Sequence, residues 1–154
     1  MTIDERLQQL NIVLPPPNQP AAMYKPGVLA GGFLFTAGQT PKVDGKLKYK
    51  GKLGKDLTVE EGYQAAKLCC LSALAIIKAT VGSLDKVEKI VKVTGFVNSQ
   101  PDFLLQSKVI NGASELLCQV FGEDIGSHAR TAVGTSVLPG DAACEVELIV
   151  KIKD

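Results

Sequence analysis

Three charged residues near the C-terminus stand where they could do chemistry. Arg130 opens the run ARTAVGT, while Glu145 and Glu147 interrupt CEVELIVKI, positions where an ordinary strand prefers Val or Thr. By the two-residue strand period, Arg130 shares a face with Ala132, Gly134 and Ser136, small neighbours that leave volume around its guanidinium. A fixed arginine fork beside open space suits a carboxylate ligand, because it donates two parallel hydrogen bonds. A nearby glutamate could then orient water or shuttle a proton. The same residues also suit a plain ion pair, Arg130 with Glu145 or with a neighbouring subunit, and both readings stay open at this point.

Other chemistries find little material. The single histidine, His128, makes a histidine-based zinc site or a histidine-bearing triad improbable, and no metal site is expected. Cys69, Cys70, Cys118 and Cys144 form no Cys-x-x-Cys pair and fall within apolar patterns, as buried free thiols of a reducing compartment would. The lysine-rich segment from Lys42 to Lys55 lacks the G-x-x-x-x-G-K-[ST] spacing of a phosphate loop. It reads as a solvated loop with a short edge strand, with a modest anion-attracting patch as the functional alternative. Net charge is +1, aromatics make up 5% and Trp is absent, so nucleic-acid binding is not favoured.

The elements that must position these residues follow from pattern. At 154 residues, with 45% apolar and 21% charged, the chain is expected to form one domain with a real core. Residues 1–20 form a short helix behind the capping box Thr2-x-x-Glu5, then an extension rich in proline at Pro15, Pro16, Pro17 and Pro20. Residues 24–39 suggest a hairpin turning at Gly31-Gly32. The capping box Thr58-x-x-Glu61 starts a helix rich in small residues, expected close against a sheet and ending at Gly82. Val87 to Val97 is a β-branched strand, and Phe103 to Phe121 a second long helix closed by Gly122.

The last two runs, flanking Leu138-Pro139-Gly140-Asp141, read as a terminal β-hairpin. In its second strand Cys144, Val146, Leu148, Val150 and Ile152 belong against the helices; Ala143, Glu145 and Glu147 share the other face. The fold class is therefore α+β: a two-layer sandwich, a mixed sheet of about six strands with two helices on one face. No sequence remains to cover the other face, so self-association through the sheet is expected. Neither a secretory signal nor a membrane span is found, and a soluble, cytoplasmic location is expected.

Three stretches carry a resemblance: FLFTAGQTP at residues 33–41, VEKIVKVTGFVNSQPDF at 87–103 and ARTAVGTSVLPGDAACEVELI at 129–149. Together they resemble the YjgF/RidA family of reactive-intermediate deaminases, also called L-PSP endoribonucleases, over nearly everything after residue 20. The N-terminal extension and VNSQPDF…NGASELL look most like a subgroup of longer members with no settled function. The resemblance implies a chorismate-mutase-like fold and a homotrimer whose sheets form a central barrel, with small 2-oxo or 2-imino acids bound in clefts between subunits. It implies a cofactor-free deaminase that hydrolyses 2-aminoacrylate-type enamines and imines to 2-oxo acids and ammonia. A non-enzymatic carboxylate-binding module and an endoribonuclease are the alternatives.

By position, Arg130 matches the family's carboxylate-binding arginine and Glu145 the glutamate that positions water, and these are the catalytic candidates. Tyr24 matches the cleft tyrosine, Asn111 the helix asparagine, and Gly38 and Gln39 the Gly-Gln pair, so these join Arg130 as binding candidates. Four departures stand out. Ala22-Met23 replaces Gly-Pro, and Ala37 replaces a serine. Ala132 replaces a frequent cysteine, and Ser127-His128 replaces Phe-Pro, with His128 expected in a solvent-exposed loop and a polar substitute at the cleft rim as the alternative. Substrate preference lives in such rim positions.

Overall fold

Both predicted capping boxes form. Thr2 Oγ1 accepts from the Glu5 amide at 3.1 Å and starts α1 (Ile3–Gln9). Thr58 Oγ1 accepts from the Glu61 amide at 3.2 Å and starts α2 (Val59–Val81), which Gly82 terminates. The structure, a computed structural model, describes residues 1–20 and 22–154. Its strands are β1 (Gly27–Ala30), β2 (Phe33–Thr36), β3 (Lys42–Val43), β4 (Lys46–Leu47), β5 (Val87–Asn98), β6 (Ala129–Thr135) and β7 (Cys144–Ile152). The third helix, α3, spans Gln106–Gly126.

Five strands make one mixed sheet in the order β1-β2-β7-β5-β6, and β3 pairs only with β4 in a separate ribbon. The sheet has one strand fewer than expected because the lysine-rich segment folds on itself: strands of two residues reverse over Asp44 and Gly45, both at positive φ. The hairpin at Gly31-Gly32 forms as read, pairing Val28 with Phe35 and Leu29 with Leu34. The helix expected from Phe103 begins at Gln106, because Phe103 still closes the preceding turn on Gln100. It breaks at Gly122 (φ 78°, ψ 165°) and continues one further turn.

The terminal hairpin is a misreading. β6 and β7 never pair; β5 lies between them, parallel to β6 and antiparallel to β7. The reason is the helix between β5 and β6, since a strand-helix-strand crossover returns the chain parallel to its starting strand. That leaves β7 the opposite edge of β5, and the link from Ser136 to Ala143 must pass the end of β5. Asn98, fully buried at that end, ties the link down. Its Nδ2 donates to Gly51 O (3.1 Å) and Asp141 Oδ1 (2.8 Å), and its Oδ1 accepts from Lys52 Nζ (2.9 Å). Lys52 Nζ also donates to Ser136 O.

The core lies between the sheet and α2 with α3. Cys144, Val146, Leu148, Val150 and Ile152 all face it, as the strand period predicts, against Ala66, Cys69, Leu74, Leu116 and Leu117. The length and composition of α2 would let it cross a bilayer, yet its apolar side chains are the centre of this core. Cys69, Cys70 and Cys144 are buried free thiols. Cys69 and Cys144 lie with their sulfurs 3.7 Å apart, and burial pushes Cys70 up to about 12. The other sheet face is left open, with Phe35 45% and Val133 41% exposed.

Candidate functional site

On β6, Arg130 sits opposite Val93 of β5, and Val93 opposite Leu148 of β7. Residues directly opposite across a sheet point the same way, so Arg130 faces the helix side. There Arg130 Nη1 donates to Asn111 Oδ1 at 2.8 Å and to Ser114 Oγ at 3.3 Å. Asn111 and Ser114 are three residues apart on α3 and so share one helix face. Among the described residues, no acceptor is bonded to Nε or Nη2 of Arg130, which leaves part of the fork for a ligand.

His128 belongs to this cluster rather than to a solvent-exposed loop. It is half-buried, with Nε2 2.8 Å from Ser114 Oγ and Nδ1 2.7 Å from Gly126 O. A carbonyl only accepts, so Nδ1 carries the proton, Nε2 accepts from the Ser114 hydroxyl, and Ser114 Oγ accepts from Arg130. The bonds run in one direction from Arg130 to Gly126. Burial lowers the His128 pKa, and the positive charges of Arg130 and Lys89 lower it further; the Gly126 carbonyl pulls the other way. The neutral imidazole that this sequence of bonds needs is thus the favoured form.

Glu145 stands on the opposite face, in a row with Phe96 and Val133. Its carboxylate lies against Gly38: a Cβ built on Gly38 would overlap that carboxylate, coming within 2.8 Å of Cδ and 3.0 Å of Cγ. Only glycine allows this approach. Among the described residues no group donates a hydrogen bond to the Glu145 carboxylate. Burial raises its pKa, and the neighbouring Glu147 charge raises it further. A cavity of about 340 Å³ opens in front of it, lined by Tyr24, Gly38, Gln39, Lys42, Asn18 and Pro139 among others.

The six predicted site residues therefore fall into two groups. Arg130 and Asn111 come together on the helix side; Glu145, Gly38, Gln39 and Tyr24 come together on the open side. Arg130 and Glu145 do not pair within one chain, and the only ion pair among the described residues is Lys78 with Asp4, 2.9 Å apart. A half-buried carboxylate with a raised pKa and no donor among the described residues is a stronger base than an ordinary glutamate and can take and return a proton. A part-used guanidinium can hold a carboxylate.

Sequence reasoning missed Ser114 and Asn18; Lys42 enters it only as part of the lysine-rich segment, whose functional alternative is an anion-attracting patch. Ser114 carries a signal in retrospect, its three-residue spacing from Asn111 on a predicted helix. Asn18 carries none, since its contact with Gln39 (Nδ2 to Oε1, 3.3 Å) joins the extension to a distant loop.

Residues 4–152 match the family described as "YjgF/chorismate mutase-like, putative endoribonuclease". Protein TCP17 of Trypanosoma cruzi is 46% identical over 148 residues, 96% of this chain and 92% of that protein. The crystal structure of a "putative endoribonuclease" from Shewanella oneidensis superposes with a TM-score of 0.95 at 35% identity, covering 99% of this chain and all of that one. Atu1372 from Agrobacterium tumefaciens, also solved by crystallography, superposes with a TM-score of 0.91 at 41% identity, over 98% of this chain and 92% of its own.

Proposed function

This chain belongs to the YjgF/chorismate mutase-like family, and from that premise we propose that it is a cofactor-free deaminase of small 2-imino and enamine acids. It acts in the cytoplasm as a homotrimer, in clefts where the Glu145 face of one copy meets the Arg130 edge of the next. The observation that carries the reading is the Glu145 carboxyl: half-buried, without a donor, raised in pKa and pressed against Gly38 in a cavity.

The chemistry balances on that one group. Arg130 forks the substrate carboxylate, held in aim by Asn111. An enamine first takes a proton from solvent at C3 and becomes the iminium. Glu145 accepts a proton from water as the water oxygen bonds to C2. Glu145 then returns that proton to nitrogen, the C2–N bond breaks and ammonia leaves, and loss of the hydroxyl proton gives the 2-oxo acid. Each step moves only water and protons.

The test generates 2-aminoacrylate from serine with a dehydratase and follows its decay. The wild type is expected to outpace a no-protein control, with Arg130→Ala and Glu145→Gln falling to the control rate. A wild type no faster than the control would refute the deaminase.

A second reading, a module that binds small carboxylates without turnover, is favoured by one observation: a single copy holds Arg130 in position with no part of Glu145 near it. Calorimetry with 2-oxobutyrate, showing Arg130-dependent binding beside a flat decay assay, would select it. The endoribonuclease reading has less behind it, because His128 is spent on Ser114 and Gly126.

A further inference from the structure

The N-terminal extension is fastened at both ends. At its start Ile3 N donates to Asp85 Oδ1 (2.8 Å), Asp4 pairs with Lys78, and Arg6 Nε donates to Gln119 O (3.0 Å), with Leu7 buried in the core. At its end Asn18 Nδ2 donates to Gln39 Oε1 (3.3 Å), and Asn18, Gln19 and Pro20 become a wall of the Glu145 cavity. Gln39 is itself buried, at 6% exposure, and its Nε2 is turned to the carbonyls of Ala37 and Gly38. Asn18 therefore braces the loop that carries Gly38. Lys42 lines the same cavity, and its Nζ has no acceptor among the described residues.

A three-carbon enamine leaves most of a cavity of about 340 Å³ empty. Among the described residues lining it, Lys42 is the single cation, beside the amides of Asn18, Gln19 and Gln39 and apolar Leu47 and Pro139. An apolar ligand end placed there would desolvate the Lys42 ammonium and leave it unpaired, which binding sites punish severely. An anionic end would satisfy it.

We propose that the strap formed by residues 15–20 and Lys42 make this cleft selective for 2-imino acids that carry a second carboxylate, with Asn18 and Lys42 as specificity-determining residues. The inference rests on the reading of the cleft as a 2-imino acid site.

Calorimetry with two oxo acids of equal chain length tests it: 2-oxoglutarate, which has the distal carboxylate, and 2-oxopentanoate, which lacks it. Wild type is expected to favour 2-oxoglutarate by about tenfold, the worth of one charge-assisted contact. Lys42→Met and Asn18→Ala bring that ratio to about one, and Lys42→Arg retains a preference. Equal wild-type affinities, or a ratio unmoved by Lys42→Met, would overturn the selectivity. If both acids bind equally and both are lost in Arg130→Ala, the selectivity alone falls. If neither binds, the reading of the cleft falls with it.

Discussion

Arg130 and Glu145 point to opposite faces of one sheet. Arg130 lies in the row of Val93 and Leu148 beneath α3, and Glu145 in the row of Phe96 and Val133 on the open side. The proposed reaction asks both to meet one small ligand, so the two must come from different copies. Mixing therefore makes a direct prediction. Arg130→Ala and Glu145→Gln, each inactive, are unfolded together and refolded as mixed oligomers. Random assembly gives about one cleft in four an intact Arg130 and an intact Glu145 from different copies, so about a quarter of wild-type activity should return. Activity that stays absent in demonstrably mixed oligomers would place the whole site within one copy.

Asn111 acts through Arg130. Its Oδ1 fixes Nη1 at 2.8 Å, leaving the rest of the guanidinium aimed outward. A hydrogen bond to a charged group contributes about 1.5–3 kcal/mol, so Asn111→Ala should weaken 2-oxobutyrate binding by about tenfold or more. Asn111→Asp strengthens the anchor but offsets the charge that the ligand carboxylate needs, and should weaken binding as well. Calorimetry reads both, and an unchanged affinity in Asn111→Ala would remove Asn111 from the site.

Gly38→Ala tests the contact beneath Glu145. The added methyl overlaps the carboxylate, and Glu145, only half-buried, can swing away. The loss should thus fall on turnover rather than on folding: deaminase activity reduced by about tenfold or more, with less than about 1 kcal/mol change in stability by urea unfolding. A large stability loss with retained turnover per folded molecule would reverse this assignment.

Much of this arrangement was legible in single residues, and the failures have physical causes. The Thr2 and Thr58 boxes, the Gly31-Gly32 turn and the inward face of β7 are local signals, settled within a few residues of themselves. The pairing of β6 is not local. Alternating runs on both sides of Pro139-Gly140 look like a hairpin, and only the crossover through α3 decides otherwise. The placement of His128 is non-local in the same way: Ser114, fourteen residues earlier on α3, is its hydrogen-bond partner. Asn111 comes from family pattern, and Arg130 and Glu145 from strand pattern and family pattern together; neither says that the two face apart.

Asn98→Ala addresses the tie that lets β6 and β7 flank β5. Asn98 is fully buried and makes three side-chain hydrogen bonds, to Gly51, Asp141 and Lys52. Alanine leaves those buried partners unsatisfied, for a cost of about 3 kcal/mol. Urea unfolding should show a lower midpoint with an unchanged slope. Asn98→Asp should be no better, because a carboxylate cannot donate to Gly51 O and would face Asp141. A midpoint within about 0.5 kcal/mol of wild type would show the link held by other contacts.

Glu145 gives stability a pH dependence whose sign follows from its surroundings. Burial and, second, Glu147 raise its pKa in the folded chain above the ordinary glutamate value near 4.3. Within the window between those two values the folded chain binds more protons than the unfolded one. Stability from this group is therefore full below the unfolded pKa and is lost as pH rises through the folded pKa. Glu145→Gln cannot ionise and lacks that loss. Relative to wild type it should gain stability as pH rises above about 4 and level off once pH passes the folded pKa. The gain should stay under about 1 kcal/mol, because water screens a half-exposed carboxylate. Thermal unfolding of both proteins across that range reads the difference. A variant that loses stability relative to wild type as pH rises would mean that the ionised carboxylate has a cationic partner, and would overturn this sign.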